Sequence, residues 1–400
     1  MGRLDRRQLL LGVTGSIAAY KACEVLRLLK KEGADVRVVM TEAATRFVHP
    51  LTFETLSGYE VVREMFPEHG LVMTRHVSLA EWAHCLLICP ATANSIGKFA
   101  SGIADDFLST AVMASRSPVI LAPAMDELML RNPVYVQNCE KLRSIGYRFV
   151  EPETGELASG LIGKGRLASI ERIVAGVKRE LCRTDLSKGR RVLVTAGPTR
   201  EFLDPVRVIT NRSSGKMGFA FAEEAWLRGA DVTLVAGPTV LPVPEGPRLV
   251  RVETARQMAD AVHSEWPNHD ILIMAAAVSD YRPERVLDQK LKKTEAALVL
   301  RMERTEDILA EAARTKGNRI VVGFALETEA GDDRALQKLD EKRMDLVCLN
   351  SPLDPDSGFE TETTKITLFD RGHTKTELSL VSKREAARLI WDRIETIRPL

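Results

Sequence analysis

Thr195-Ala-Gly-Pro-Thr-Arg-Glu-Phe-Leu-Asp-Pro-Val-Arg-Val-Ile-Thr-Asn-Arg-Ser-Ser-Gly-Lys-Met-Gly218 lies between an apolar strand, Arg191-Val-Leu-Val194, and a helical pattern that begins near Lys216. The loop carries Gly197, Pro198, Ser213, Ser214, Gly215 and Gly218. Small residues let backbone amides approach an anion, and the start of the following helix adds a positive partial charge. Strand, glycine loop and helix in that order make a phosphate cradle at the edge of an α/β sheet. It is not a Walker A loop, because G-x-x-x-x-G-K-[ST] occurs nowhere in the chain, and it is not G-x-G-x-x-G either.

The same opening occurs twice. Gln8-Leu-Leu-Leu-Gly-Val13 reads as a strand and Thr14-Gly-Ser16 as a turn. Ile17 to Glu32 reads as a helix with Ala22, Val25, Leu26 and Leu29 on one face. Gly33 stops that helix, and Ala34-Asp35-Val36 starts a strand through Met40. In the second half Arg191–Ala196, Lys216–Arg228 and Gly229-Ala-Asp-Val232 repeat the pattern. Later apolar runs suit parallel strands buried on both faces. They are 85–89, 119–122 and 147–150 in the first half, and 271–275, 320–324 and 346–349 in the second. The reading is an α/β protein of two doubly wound parallel-sheet domains, one flavodoxin-like and one Rossmann-like. The domains expected are 1–185 and 189–400, with the helix Ile170 to Cys182 ending the first and Arg183–Gly189 as linker.

Composition agrees with two globular cores: 400 residues, 45% hydrophobic and 28% charged. The 56 basic and 55 acidic residues leave a net charge of +1, so no general attraction to nucleic acid or anionic membrane follows. Arg6-Arg7 before Gln8-Leu-Leu-Leu11 has the look of an export signal, but the run soon meets Tyr20, Lys21 and Glu24 and reads as a first core strand. No apolar run approaches the roughly 18 residues a membrane helix requires. The six cysteines have no framework spacing and are read as reduced thiols of a cytoplasmic protein.

Ligands in such sheets bind beyond the carboxyl ends of the strands. In the first half those ends carry Thr14-Gly-Ser-Ile17, Thr41-Glu-Ala43, Pro90-Ala-Thr-Ala-Asn-Ser95 and Pro123-Ala-Met-Asp-Glu-Leu-Met129, with Lys98–Asp106 adding a further small-residue segment. Singly each is an ordinary strand-end turn. Together and in order they resemble the flavin-dependent cysteine decarboxylases, over nearly all of residues 7–180. The second half resembles phosphopantothenate–cysteine ligase as fully. The fused pair is the family of bacterial bifunctional enzymes of coenzyme A biosynthesis.

The resemblance implies FMN held by Gly15, Ser16, Ile17, Thr41, Thr92, Ala93, Asn94, Ser95 and Ala124, with Met129 at the substrate. His76, in Thr74-Arg-His-Val-Ser-Leu79, matches the family's active-site histidine; an imidazole exchanges protons near neutrality. Two positions depart from the family. Its Pro-Ala-Met-Asn reads Pro123-Ala-Met-Asp126, and its Ala-Cys-Gly reads Ala158-Ser159-Gly160. The asparagine holds the substrate carboxylate, which an ionised Asp126 repels unless one of the two takes up a proton. The cysteine donates a proton, for which a serine hydroxyl is a far weaker acid. Either Asp126 and Ser159 are a matched pair in an active decarboxylase, with Asp126 as the acid, or the flavin half serves binding and assembly beside a working ligase. The intact His76 and flavin segments favour the first.

For the second half the resemblance implies CTP-driven activation of 4′-phosphopantothenate as an acyl-cytidylate, which the amine of L-cysteine then attacks. Asn211 matches the residue acting on the acyl-cytidylate, as a neutral donor to a developing oxyanion. Met274, Ala275, Ala276 and Asp280 match the nucleotide-binding segment; Lys290, in Lys290-Leu-Lys-Lys293, matches the triphosphate lysine. Thr305-Glu306-Asp307-Ile308 stands where the family has Asn-Pro-Asp-Ile, and Phe324 stands beside the base. Lys338 and Lys342, four apart, share a helical face toward phosphates. Mg2+ is expected with CTP, bound mostly through phosphates and water. The family's trimeric flavin domains and dimeric ligase domains imply a dodecameric homo-oligomer.

Overall fold

The computed structural model describes residues 2–66, 75–158, 160–292, 299–327, 331–350, 358 and 360–397. The chain divides into two compact units, Met1–Cys182 and Arg183–Leu400.

The first unit contains β1 (Gln8–Val13), β2 (Asp35–Met40), β3 (Cys85–Ala91), β4 (Val119–Pro123) and β5 (Arg148–Phe149), in the order β2-β1-β3-β4-β5. All pairings are parallel. β1 and β3 are buried almost throughout, as the continuous apolar runs require. One face packs Val25, Leu26 and Leu29 of the helix Lys21–Lys31; the other packs Phe107 and Leu108 of the helix Phe107–Ala114. The run after Thr14-Gly-Ser16 is not one helix. Ile17–Tyr20 forms a tight 3-10 turn capped by Ser16, and the α-helix starts at Lys21. Beyond the sheet, β6 (Glu153–Glu156) and β7 (Ile162–Arg166) form an antiparallel hairpin.

The second unit contains β8 (Arg191–Ala196), β9 (Arg200–Phe202), β10 (Val208–Thr210), β11 (Asp231–Ala236), β12 (Arg248–Arg251), β13 (Ile271–Met274), β14 (Tyr281–Pro283), β15 (Met302–Arg304), β16 (Ile320–Leu326), β17 (Leu346–Asn350), β18 (Thr363–Asp370) and β19 (Lys375–Ser382). Its main sheet runs β12-β11-β8-β13-β16-β17-β18-β19, and β9/β10 and β14/β15 form small ribbons. Six strands are parallel, but β18 and β19 add an antiparallel edge that strand-by-strand reading did not foresee. The largely alternating burial of β18 and the exposure of β19 fit a sheet edge covered on one face. Arg183–Gly189, expected as linker, is bonded into this unit: the Thr184 amide donates to the Arg228 carbonyl at 3.1 Å, and Trp391 donates its indole N–H to Ser187 at 2.9 Å.

In each unit the first strand is flanked by strands that follow it on opposite sides: β1 by β2 and β3, β8 by β11 and β13. These are the switch points where crossovers diverge and a crevice opens.

Candidate functional sites

In the first unit, hydroxyls lock the strand ends together. Thr14, buried, donates to the Pro90 carbonyl at 2.7 Å and accepts the Thr92 amide at 3.1 Å, fixing β1 against β3. Thr92 caps the helix Ala93–Ser101, its Oγ1 accepting the Ser95 amide at 3.3 Å with the Ser95 hydroxyl 3.1 Å away. A Cβ on Gly15 would lie 2.5 Å from that of Ala43, so only glycine lets these turns meet. Ile17 stands 59% exposed at their rim, while Ala124 is buried. Thr41, at the end of β2, has a buried hydroxyl with no hydrogen-bond partner. Such a group costs stability unless a ligand satisfies it. Gly15, Ser16, Thr41, Thr92 and Ala124 thus lie on the carboxyl ends of four adjacent strands.

His76 sits half-buried on the helix Arg75–Trp82, edge-on to Phe107 with ring centroids 6.2 Å apart. Phe107 begins a helix capped by Asp106, which Lys98 meets at 3.0 Å. Burial pushes the Asp106 carboxyl up, but the Ser109 amide and the Lys98 ammonium outweigh it and hold it below the usual range. Asp126 caps the short helix Glu127–Leu130 through the Leu128 amide at 3.0 Å. The Met125 amide beside it donates to the Gly165 carbonyl at 3.1 Å, tying the β6–β7 hairpin to this corner. Ser159 lies outside the described residues. The thiols of β3 are enclosed: Cys85 and Cys89 are fully buried, and burial pushes the Cys89 thiol up to about 12.

In the second unit, a cavity of about 840 Å3 opens at the carboxyl ends of β13, β16 and β17. Asn211, Met274, Ala275, Ala276, Asp280, Thr305, Glu306, Asp307, Ile308, Phe324, Lys338 and Lys342 all line it, from five separate stretches of chain. Lys290 is not in that lining; its neighbour Leu291 is anchored by its amide to Asp204 at 3.1 Å. Lys293 lies outside the described residues.

Local chemistry positions each group. The Thr195 hydroxyl accepts the Ala276 amide at 3.2 Å, and Thr199 accepts that of Ser279 at 3.0 Å, so the loop after β13 is stitched to the end of β8. Asn211 donates its amide to the carbonyls of Ala277 at 3.0 Å and Val278 at 3.3 Å. Thr305 donates to the Ser279 carbonyl at 2.6 Å. Lys342 pairs with Asp307 at 2.7 Å, and Lys338 with Glu327 at 2.5 Å. Burial alone would raise the Glu327 carboxyl, yet Lys338 and Arg334 hold it below the usual range. Phe324 stands edge-on to Phe221 with ring centroids 5.7 Å apart.

The glycine loop is built by close approach. Gly215, at φ 79°, begins the helix Lys216–Leu227, and a Cβ there would come within 3.3 Å of the Gly197 backbone. A Cβ on Gly218 would sit 2.5 Å from that of Ala196. The helix therefore starts directly over the end of β8, and Gly215, Lys216 and Met217 line the cavity. Sequence reasoning missed Thr14 and Thr195, whose roles lie in joining strand ends, and Lys383, which reaches the cavity from near the chain's end. Only the placement of Thr14 and Thr195 directly at strand ends hinted at them.

Comparison with known proteins follows the same division. The Flavoprotein family matches residues 2–182, and the family described as DNA/pantothenate metabolism flavoprotein C-terminal domain matches residues 187–397. The coenzyme A biosynthesis bifunctional protein CoaBC of Bacillus subtilis (strain 168) is 42% identical over 397 residues, covering 98% of each chain. The crystal structure of a CoaBC C-terminal domain is 40% identical, covering 53% of this chain and 97% of that one, with a TM-score of 0.46. That of the FMN-dependent cysteine decarboxylase SpaF is 33% identical, covering 44% and 97%, with a TM-score of 0.40.

Proposed function

We propose a division of labour between the two sites from one premise: this chain belongs to the coenzyme A biosynthesis bifunctional proteins. It is an enzyme of coenzyme A biosynthesis with ligase and decarboxylase activities. The ligase occupies residues 189–400 and joins 4′-phosphopantothenate to L-cysteine at the expense of CTP. The decarboxylase occupies residues 1–185 and converts the product, 4′-phosphopantothenoylcysteine, to 4′-phosphopantetheine. The observation carrying this reading is the convergence of Asn211, Asp280, Phe324, Lys338 and Lys342 on one cavity beyond a glycine loop.

In the ligase, a substrate carboxylate oxygen attacks the α-phosphorus of CTP, and pyrophosphate leaves. The cysteine amine then displaces CMP from the acyl carbon. Asn211 offers its amide to the acyl oxygen, which competes with the Ala277 and Val278 carbonyls for the same N–H groups. Lys338 and Lys342 exchange their carboxylate partners for phosphates. Among the described residues no group of three His, Cys, Asp or Glu side chains could hold a metal ion. Mg2+ is expected with CTP, carried mostly by the nucleotide's own phosphates and water.

The strand-end residues of the first unit fit FMN: Gly15 admits close backbone approach, and the Thr41 hydroxyl awaits a partner. FMN supplies electron acceptance and return when bound. This chain's residues bind and protonate around it, with His76 as base and Asp126 as the proton donor. A cytoplasmic homo-oligomer accompanies the reading; exposed Leu128, Leu161 and Ile162 support a subunit contact.

The test is product analysis. Purified protein given phosphopantothenate, CTP and cysteine should release pyrophosphate and CMP, and given phosphopantothenoylcysteine it should release CO2 and phosphopantetheine. Accumulation of an oxidised enethiol in place of phosphopantetheine would overturn the pairing of Asp126 with Ser159.

A further inference from the structure

The ligase cavity has a lining that extends beyond the nucleotide-binding residues named above. That lining includes Gly215, Lys216, Thr364 and Lys383. Lys383 is the first residue of the helix Lys383–Thr396, which Ser382 caps. It is only 7% exposed, which is unusual for a lysine. Its ammonium donates to the Gly358 carbonyl at 2.8 Å. Its amide donates to the Glu362 carbonyl at 2.9 Å, and the Glu362 carboxylate holds the Lys216 ammonium at 2.5 Å. Two lysines from distant parts of the chain thus flank the start of the helix Lys216–Leu227 and the Gly197–Gly215 crossing.

Two ammonium groups beside a helix N-terminus exceed what one carboxylate requires; they match a polyanion. We propose that Lys383, with Lys216, contacts the distal phosphates of the nucleotide and receives the pyrophosphate released in carboxylate activation. This deepens the ligase reading and rests on it. In that step an oxygen–phosphorus bond forms at the α-phosphorus, the α–β anhydride bond breaks, and its electron pair leaves on pyrophosphate. No electrons change hands otherwise. Negative charge grows on the leaving group, where a fixed buried cation is most effective.

Burial, with the Lys216 charge close by, brings the Lys383 ammonium down to about 8, while Glu362 opposes that shift. The group is charged at neutral pH and loses its proton on moderately alkaline titration. Lys216 and Glu362 are the charged groups facing it among the described residues. An arginine at 383 keeps its charge throughout that range.

The experiment uses the full chain and follows phosphopantothenate-dependent exchange of labelled pyrophosphate into CTP without cysteine, beside the KM for cysteine in the complete reaction. Lys383→Met should lower exchange by about 100-fold with the cysteine KM little changed. Lys383→Arg should retain exchange within about tenfold and stay active at alkaline pH where the wild-type rate declines. Unchanged exchange with a raised cysteine KM would overturn the proposal and give Lys383 to the amino-acid carboxylate. Unchanged values for both would make Lys383 a structural tie to Gly358. If Lys383→Met does not fold, the arginine variant decides alone: an alkaline limb identical to wild type overturns the assignment. A wild-type chain without exchange sinks the ligase reading itself.

Discussion

At the scale of single residues, unsatisfied groups and missing side chains say most about ligands. Thr41 is informative because its buried hydroxyl has no partner. Removing an unpaired polar group while keeping its shape is close to neutral for folding, whereas removing one that a ligand satisfies weakens binding. Thr41→Val should therefore leave the denaturation midpoint unchanged or slightly higher. The same variant should weaken FMN binding by about tenfold, one hydrogen bond's worth, in a flavin fluorescence titration. A loss of stability with unchanged flavin affinity would assign Thr41 to packing. Gly15 and Gly218 complete the argument, since neighbouring Cβ atoms 2.5 Å away forbid any larger residue. Their necessity was suggested by the sequence, but only coordinates show what they would strike.

At the scale of elements, the proposed ligase site depends on how the helix Lys216–Leu227 is held, because its first turn lines the cavity. Behind that helix, Arg228 is buried and reaches Glu224 at 2.6 Å, Asp392 at 2.5 Å and Glu395 at 2.7 Å. Burial alone would weaken the Arg228 charge, yet Glu224 and Asp392 hold its pKa above the ordinary value. Arg228 therefore clamps this helix to Lys383–Thr396, the element that delivers Lys383. Taking away one partner of a buried network strands the others, so Arg228→Ala should cost about 3–5 kcal/mol in chemical denaturation. A cost below about 1 kcal/mol would show that the network is dispensable. Helix and strand positions were legible from periodicity. The clamp was not, because its partners in the last helix lie more than 150 residues from Arg228 and carry no local pattern.

At the scale of the whole molecule, acid is the sharpest probe of the second unit. His269 is enclosed, its Nδ1 donating to the Glu265 carbonyl at 2.6 Å and its Nε2 accepting from the Thr233 hydroxyl at 3.0 Å. Burial holds its pKa below the ordinary value, and the nearby Arg248 and Arg191 push the same way against Glu265. A depressed folded-state pKa means that the unfolded chain takes up the proton first on acidification. The stability it contributes is complete above a pH of about 6.5 and is lost as pH falls through the folded-state pKa. Asp270 and Glu265, both held below the usual range, act with the same sign only below a pH of about 4.5. The unit's melting temperature should therefore fall as pH drops below about 6.5, and His269→Gln should flatten that slope. An equally steep slope in the variant would remove His269 as the cause. The sequence by itself determined two α/β units, their parallel strands, the glycine loop and the family. Those follow from local periodicity, turn chemistry and motifs, which are written along the chain. Tertiary structure alone decided that twelve of the ligase residues share one cavity while Lys290 does not, that Thr41 lacks a partner, and that Lys383 lies beside Lys216. Convergence depends on sheet order and crossover, which bring distant strand ends to one crevice, and no stretch of sequence encodes that distance.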